Sequence, residues 1–192
     1  MFLVVGLGNP GEQYAASRHN VGFMAADELH RRYNFSAYRA KFDGLVAEGQ
    51  IADQKVYLLK PQTFMNLSGN SVVKAAHFYK ILPQNVVVIH DDMDLPTDKI
   101  KAKLGGGSGG HNGLKSIDSC ITPNYNRVRI GIGHPVNKSE ESVVNHVLSG
   151  FSKQDMLNVE KNVDIVAELL PILLEKGITE FCNRLGMKQH EK

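Results

Sequence analysis

Cysteine is scarce. Cys120 and Cys182 are the only two among 192 residues, and they stand far apart. Without a CxxC spacing they favour a reduced, intracellular protein, with a single bridge between them left open. Long apolar runs are missing as well: no stretch approaches the roughly 20 residues that cross a bilayer. The first residues lack the basic segment that opens a signal peptide. Charge of one sign is also missing. The formal net charge is +2, so no overall basic field marks a nucleic-acid partner, and any such surface must come from local clustering. No internal repeat and no linker interrupts the chain, so residues 1–192 read as one soluble, cytoplasmic domain.

What is present is the composition of a globular protein, 42% hydrophobic and 22% charged, long enough to bury a substantial core. The most informative stretch is GLGNPGEQYAASRHN, Gly6 to Asn20. A short apolar strand (Phe2 to Val5) feeds a loop bent by glycine and proline. The loop carries Asn9, Tyr14, Arg18, His19 and Asn20 before an apolar helix pattern begins, which is how binding and catalytic groups are commonly mounted. Gly6, Gly8 and Gly11 spell GxGxxG and invite a nucleotide-cofactor reading. That motif needs a helix to open at once so that its N-terminus can hold a pyrophosphate. Here Asn9-Pro10 intervenes, and helical spacing resumes only at Val21, Met24, Ala25 and Leu29. Asn20 is the expected N-cap of a helix running to about Tyr33.

Further along, residues 42–51 and 54–60 read as two strands joined by a tight turn at Asp53. A loop presenting Phe64, Met65 and Asn66 then leads into an amphipathic helix, with Asn66 and Ser68 competing to cap it. Asn85 to Ile89 is a β-branched run, the mark of a strand buried on both faces. It ends in HDDMD (His90 to Asp94), and strand C-termini are where open α/β sheets place their sites. The acidic, His-bearing cluster lacks paired spacing such as HExxH, so a carboxylate that orients a histidine is a better reading than a metal centre. Asp91 is the candidate.

Lys99 to Leu104 alternates with period two. Its lysines share one face, while Ile100, Ala102 and Leu104 are expected to pack inward. A mobile glycine loop follows (GGGSGGHNG), with His111 and Asn112 at its exit and a helix from about Leu114. Gly106 to Gly110 formally matches GxSxG, but a nucleophile elbow needs a rigid corner, which glycines around Ser108 do not supply. In the next strand Arg127 and Arg129 line one face, opposite Val128, Ile130 and Ile132. Two basic-faced strands in a nearly neutral chain form a local phosphate footprint. Ser139 caps a short helix over 140–148. Ser152 with Asp155 opens a long amphipathic one, with Pro171 expected to bend or break it. A last short helix covers about 179–185.

GLGNPG, the Tyr-x-x-x-x-His-Asn of Tyr14 to Asn20, TFMNLSG, HDDMDLP, KLGGGSGGHNGL and RIGIGHP occur in this order, spaced over nearly the whole chain. In this the sequence resembles the bacterial-type peptidyl-tRNA hydrolases. The resemblance implies a monomeric, single-domain α/β fold with a twisted mixed β-sheet surrounded by α-helices, and no cofactor and no metal. It implies hydrolysis of the ester that joins a peptide, or an N-blocked amino acid, to the 3′ ribose of tRNA. The implied partners are the acceptor stem and CCA end of peptidyl-tRNA, with the stalled large ribosomal subunit as a further one. His19 falls on the family's catalytic histidine and Asp91 on its supporting carboxylate. Asn9 falls on the position that discriminates blocked from unblocked substrate. Tyr14, Phe64, Asn66 and Asn112 fall on contacts to the tRNA 3′ end and peptide, and Lys101, Lys103 and Arg129 on positions that hold acceptor-stem phosphates. Two rival classes stand beside this one: a nucleotide-cofactor enzyme using the glycine turn, and a non-catalytic tRNA-binding protein.

Overall fold

The first strand, β1 (Phe2–Gly6), lies at the centre of a seven-stranded sheet in a computed structural model that describes residues 1–191. The remaining strands are β2 (Arg39–Lys41), β3 (Gly44–Ile51), β4 (Gln54–Pro61), β5 (Val86–Asp92), β6 (Ile100–Leu104) and β7 (Asn126–Gly131). Their order across the sheet is β2-β3-β4-β1-β5-β7-β6. β4, β1, β5 and β7 run parallel, and β3 and β6 pair antiparallel on either side of them. Parallel strands need crossovers that cover both faces, and helices supply them. On one face α1 (Val21–Arg32), α5 (Lys153–Lys176) and α6 (Ile178–His190) close over Val4, Leu58, Val87 and Ile130. On the other, α2 (Ser68–Phe78) and α3 (Asn112–Ile121) close over Leu3, Val5, Leu59 and Val88. The expected twisted mixed sheet surrounded by helices is therefore what the chain forms.

Strand positions agree with the sequence reading to within a few residues, and the departures have physical causes. The turn at Asp53 is a two-residue hairpin in which Ala52 and Asp53 both adopt positive φ, 54° and 59°, the geometry that matches strand twist. A second such turn at Phe42 and Asp43 sets off β2, a short edge strand whose three exposed residues carry no periodic signal. β5 runs on to Asp92, so His90 and Asp91 are strand residues with ladder partners on β7. In β6 only Ile100 is buried as expected. Leu104 is 55% exposed, because β6 is the sheet edge and its last residues run past the covering helix.

Helix α1 begins at Val21, the late start that argues against a pyrophosphate turn. Glycine lets it approach the sheet: a Cβ on Gly22 would lie 2.4 Å from the Leu7 amide nitrogen and 2.5 Å from the Ile89 carbonyl oxygen. The helix mouth therefore sits on the C-terminal ends of β1 and β5. Chain leaving β1 turns to the α1 face, whereas the crossover into β7 passes through α3 on the opposite face. The connections thus go to opposite faces beyond the strand C-termini, the place where α/β sheets form the crevice they use for ligands.

The caps of the C-terminal helices are as read: Ser139 accepts from the Ser142 amide at the start of α4 (Glu140–Leu148), and Ser152 accepts from that of Asp155. Pro171, however, does not break α5, which continues to Lys176. A proline leaves the carbonyl four residues back without its helical partner. That carbonyl, of Ala167, accepts instead from the Tyr33 hydroxyl at 2.6 Å. Tyr33→Phe removes this donor and should cost about 1 kcal/mol, read as a lower urea midpoint with unchanged activity. The last helix is longer than expected because it seals the β6 edge: Gln189 pairs with both the amide and the carbonyl of Ile100, at 2.8 and 3.1 Å.

Candidate active site

The residues that enter the crevice come first from the loop after β1. Asn20 does not cap α1 as expected. Its Oδ1 accepts from the Asn9 amide at 2.9 Å and the Ser17 hydroxyl at 3.3 Å, while Nδ2 donates to the Asn9 carbonyl at 2.9 Å. Residues 9 to 20 are thereby latched into a closed loop, and the short 3-10 turn Arg18–Asn20 points His19 inward. Asn9 is buried, and its Oδ1 accepts from the Met65 amide at 2.9 Å. This bond ties the loop to the segment that carries Phe64 and Asn66.

Asp91 is the hub. His19 Nδ1 donates to Oδ2 at 2.7 Å, and His111 Nε2 donates to Oδ1 at 2.7 Å. His111 is also the N-cap of α3, with Nδ1 accepting from the amides of Gly113 and Leu114 at 3.1 and 3.3 Å. A nitrogen that accepts two amide protons carries none itself, so the proton of His111 lies on Nε2, facing Asp91. For His19 the bond to Asp91 uses Nδ1–H and leaves a lone pair on Nε2. That nitrogen makes no protein hydrogen bond and is not sealed from solvent.

Electrostatics follow from burial and this pairing. Burial disfavours the charged imidazole of His19, but the Asp91 carboxylate, by charge and hydrogen bond, outweighs it and raises the pKa above the ordinary 6.5. Burial likewise opposes ionisation of Asp91. The two imidazoles reverse that and hold its pKa well below the usual carboxylate range. His90, buried beneath them, donates from Nδ1 to the Asp91 carbonyl at 2.7 Å. Burial, reinforced by His111, pushes its pKa down to about 3, so His90 stays neutral near neutral pH.

His19, Asp91 and His111 together offer three atoms close enough to ligate a cation. The tautomers do not suit one. With Nδ1 of His111 held by two helix amides, its Nε2 carries the proton and has no lone pair to give. The group is a hydrogen-bonded relay in its chemistry.

A cavity opens from His19 between the end of β5, the 107–111 loop and α4. Of the residues singled out in the sequence it brings together His19, Asp91, Lys103, Asn112 and Arg129. Asn9, Tyr14, Phe64, Asn66 and Lys101 lie outside it. Asn9 is instead held between Asn20 and the Met65 amide. Phe64 is 64% exposed, and Asn66 and Lys101 are exposed as well. Tyr14 is half-buried in the 3-10 turn Glu12–Tyr14. Neither Asn66 nor Ser68 caps α2, and the buried Ser68 hydroxyl donates to the Met65 carbonyl at 2.8 Å instead.

The basic strands divide. Arg127, read as lining an open face, is fully buried. It donates to the Gly107 and Pro123 carbonyls at 2.9 and 3.1 Å and pairs with Asp118 at 2.9 Å. Its role is to hold down the glycine loop. Arg129 pairs with Asp92 at 2.7 Å and faces the cavity. Lys103 lies against Gly106, where a Cβ would come within 2.7 Å of its Nζ. Burial and then the Arg129 and Arg127 charges lower its pKa, a cluster of cations that an anion would relieve. The Ser108 hydroxyl bonds to neither His19 nor His111; only its backbone carbonyl does, accepting from the His111 amide at 3.0 Å.

Two features escaped the sequence reading of the site. His111 was noted only as a fixed polar group, although a histidine just before a helix is a readable cap. Arg18, one residue before His19, gave no signal beyond its company.

Comparison with known proteins agrees with the motifs. The peptidyl-tRNA hydrolase family model matches residues 3–192. A peptidyl-tRNA hydrolase of Rhodospirillum centenum is 50% identical over 187 residues, 97% of this chain and 82% of the relative. One of Brucella ovis is 49% identical over 192 residues, 97% of this chain and 76% of the relative. The crystal structure of peptidyl-tRNA hydrolase from Acinetobacter baumannii superposes with a TM-score of 0.92 at 39% identity, covering 96% of this chain and 94% of that one. With the family model matched over nearly its full length, relatives about half identical and the overall fold shared, this chain belongs to the peptidyl-tRNA hydrolase family.

Proposed function

We propose that this enzyme hydrolyses the ester between a peptide, or an N-blocked aminoacyl group, and the 3′ ribose of tRNA, with His19 as general base and water as nucleophile. The observation that carries the mechanism is the 2.7 Å bond from His19 Nδ1 to Asp91 together with the unpartnered Nε2 at the cavity lip. Nε2 takes a proton from a water, and the hydroxide oxygen bonds to the ester carbonyl carbon. The tetrahedral intermediate then collapses and the ribose 3′ oxygen leaves with the proton held by His19, giving tRNA with a free 3′ hydroxyl and a peptide carboxylic acid, which ionises to the carboxylate by releasing its proton to solvent. Asp91 holds the tautomer and stabilises the imidazolium as it forms, as in a catalytic triad without its serine.

An ester to a ribose hydroxyl is activated by its vicinal hydroxyl, so a positioned base suffices without a covalent intermediate. Base catalysis of this kind is worth roughly 10²–10⁴ in rate. Asn66 and Asn112, next to the starts of α2 and α3, supply exposed amides for the developing oxyanion or the peptide carbonyl. The two helices are held side by side there, with the Gly69 amide donating to Ser116 Oγ at 2.9 Å. Tyr14 and Phe64 offer ring surface to the tRNA 3′ end and peptide. Asn9 favours a blocked substrate, because a neutral amide can pair with it whereas a free ammonium would be desolvated at cost.

Lys101, Lys103 and Arg129 are assigned to acceptor-stem phosphates, supported by the shared face of β6 and β7 on which they lie. Lys103→Ala or Arg129→Ala should raise KM, leave kcat nearly unchanged, and reduce the salt slope by about one per lost phosphate contact. A pure kcat effect would remove them from that role. No helix of the described residues is long and apolar enough to cross a membrane. The enzyme is assigned to the cytoplasm as a single chain, acting on free peptidyl-tRNA or on that held by a stalled large ribosomal subunit. The test of the activity is deacylation of N-acetyl-aminoacyl-tRNA beside unblocked aminoacyl-tRNA. Purified protein should release tRNA from the first and spare the second, and equal release from both would contradict the substrate assignment.

A further inference from the structure

Arg18 precedes His19, and neither the proton transfer nor the substrate contacts above use it. Its side chain is 13% exposed; two of its nitrogens donate within the protein and the third faces a carboxylate. Nη1 donates to the Ile132 carbonyl just beyond β7 at 2.7 Å, Nε donates to Ser149 Oγ at 3.2 Å, and Nη2 lies 3.8 Å from Asp155 Oδ2. The guanidinium sits over the Phe151 ring, 4.8 Å from its centroid. The backbone joins in: the Arg18 amide donates to the Ser149 carbonyl at 2.8 Å, and Ser17 pairs with Gly150 as an isolated antiparallel bridge. The junction between α4 and α5 thus grips the turn that carries His19.

The same junction reaches the other partner of the relay. Asp155, in the first turn of α5, accepts from Thr97 Oγ1 at 2.9 Å. Thr97 Oγ1 also accepts from Asn158 Nδ2 at 3.2 Å, and the Thr97 carbonyl accepts from the buried Asn162 Nδ2 at 2.8 Å. Thr97 belongs to the segment that follows β5 and so follows Asp91. Arg18 and Thr97 therefore meet on one carboxylate, and that carboxylate belongs to the longest helix of the fold.

We propose that Arg18 is a positioning residue for the hydrolysis: through Asp155 and Thr97 it anchors the turn carrying His19 and the segment following Asp91 to α5, and so sets the contact between them. The proposal rests on the general-base reading of His19. A planar guanidinium with several directed donors is suited to fixing three segments at once, which a lysine ammonium is not. With Nε and Nη1 donating inside the protein and Nη2 turned toward Asp155, Arg18 has little to offer a phosphate. The groups near the His19 ring that can carry charge are Asp91 and His111 in front, with Arg18 and Asp155 behind the turn.

The experiment compares Arg18→Gln and Thr97→Val with the unmodified enzyme on N-acetyl-aminoacyl-tRNA, over pH and salt. A slackened anchor lets His19 drift from Asp91. Arg18→Gln should then lower kcat by about 10- to 100-fold, since misplacement near 1 Å has that scale, with KM and its salt dependence hardly changed. The acid limb of kcat should move to lower pH, because the carboxylate that holds His19 protonated is further away. Thr97→Val, which touches no substrate, should show the same two signatures more weakly. A raised KM with a flatter salt dependence would make Arg18 a phosphate contact and overturn the proposal. So would a folded Arg18→Gln with kcat and acid limb unmoved. If Arg18→Gln does not fold, an unmoved acid limb in Thr97→Val overturns it alone. A His19→Ala control separates the two levels: activity in that variant sinks the base assignment itself, whereas an inactive control beside an unaffected Arg18→Gln sinks only the anchor.

Discussion

His19→Ala should cut single-turnover release of tRNA from N-acetyl-aminoacyl-tRNA by about 10³- to 10⁴-fold, at the upper end of what a positioned base supplies, while tRNA binding stays near that of the unmodified enzyme. The reason is local. Nε2 of His19 is the accessible ring nitrogen of the relay: His111 spends both nitrogens, on Asp91 and on the α3 amides. His90 has Nδ1 on the Asp91 carbonyl and its Nε2 buried away from solvent. No neighbouring imidazole can take over the proton transfer. The basic residues that face the cavity are untouched by the substitution, so binding should survive, and near-normal release of tRNA would sink the mechanism.

Asp91→Asn should be almost as damaging, about 10³-fold in kcat or more, by analogy with the effect of the same change in a serine-protease triad. Asp91 accepts from two imidazoles at once, 2.7 Å away on each oxygen. An amide can accept from only one and must donate to the other. The tautomer of His111 is pinned by the α3 amides, so the amide oxygen serves His111 and the amide nitrogen faces His19. His19 is then driven to carry its proton on Nε2, where the lone pair is needed. The isosteric amide should accordingly be no better than Asp91→Ala. Loss of the carboxylate also removes what raises the His19 pKa, so whatever activity remains should persist to lower pH than in the unmodified enzyme. Asp91→Asn with normal kcat would remove Asp91 from the site.

Much of this was legible in the sequence because it is local. The β-branched run before His90 marks a buried strand, and the late apolar spacing after Gly11 separates this loop from a nucleotide turn. Ser139 and Ser152 announce the helices they cap. What was hidden depends on chain segments distant in sequence. Alternation puts Arg127 and Arg129 on one face of β7, but it cannot report that the glycine loop covers Arg127 completely and leaves Arg129 partly open. Asn20 has the residue type and position of an N-cap, yet the amide and carbonyl of Asn9 lie closer to its side chain, so it latches the loop instead. Pro171 should interrupt a helix, and it fails to because Tyr33, the residue just after α1, reaches the carbonyl it leaves bare. His111 is the most consequential case. Its place in the relay is set by the sheet register that brings the end of β5 beneath the start of α3, and no spacing along the chain encodes that.

The central claim is that a neutral His19, held by Asp91, is the base. Its most direct test is a titration of the His19 imidazole by nitrogen-detected NMR, set beside the acid limb of kcat/KM in the same buffer. His19 should titrate with a pKa above the ordinary 6.5, and activity should fall as pH drops through that same midpoint, because protonation consumes the lone pair on Nε2. A His19 that titrates below the ordinary value, or a kinetic midpoint that does not coincide with it, would contradict the account.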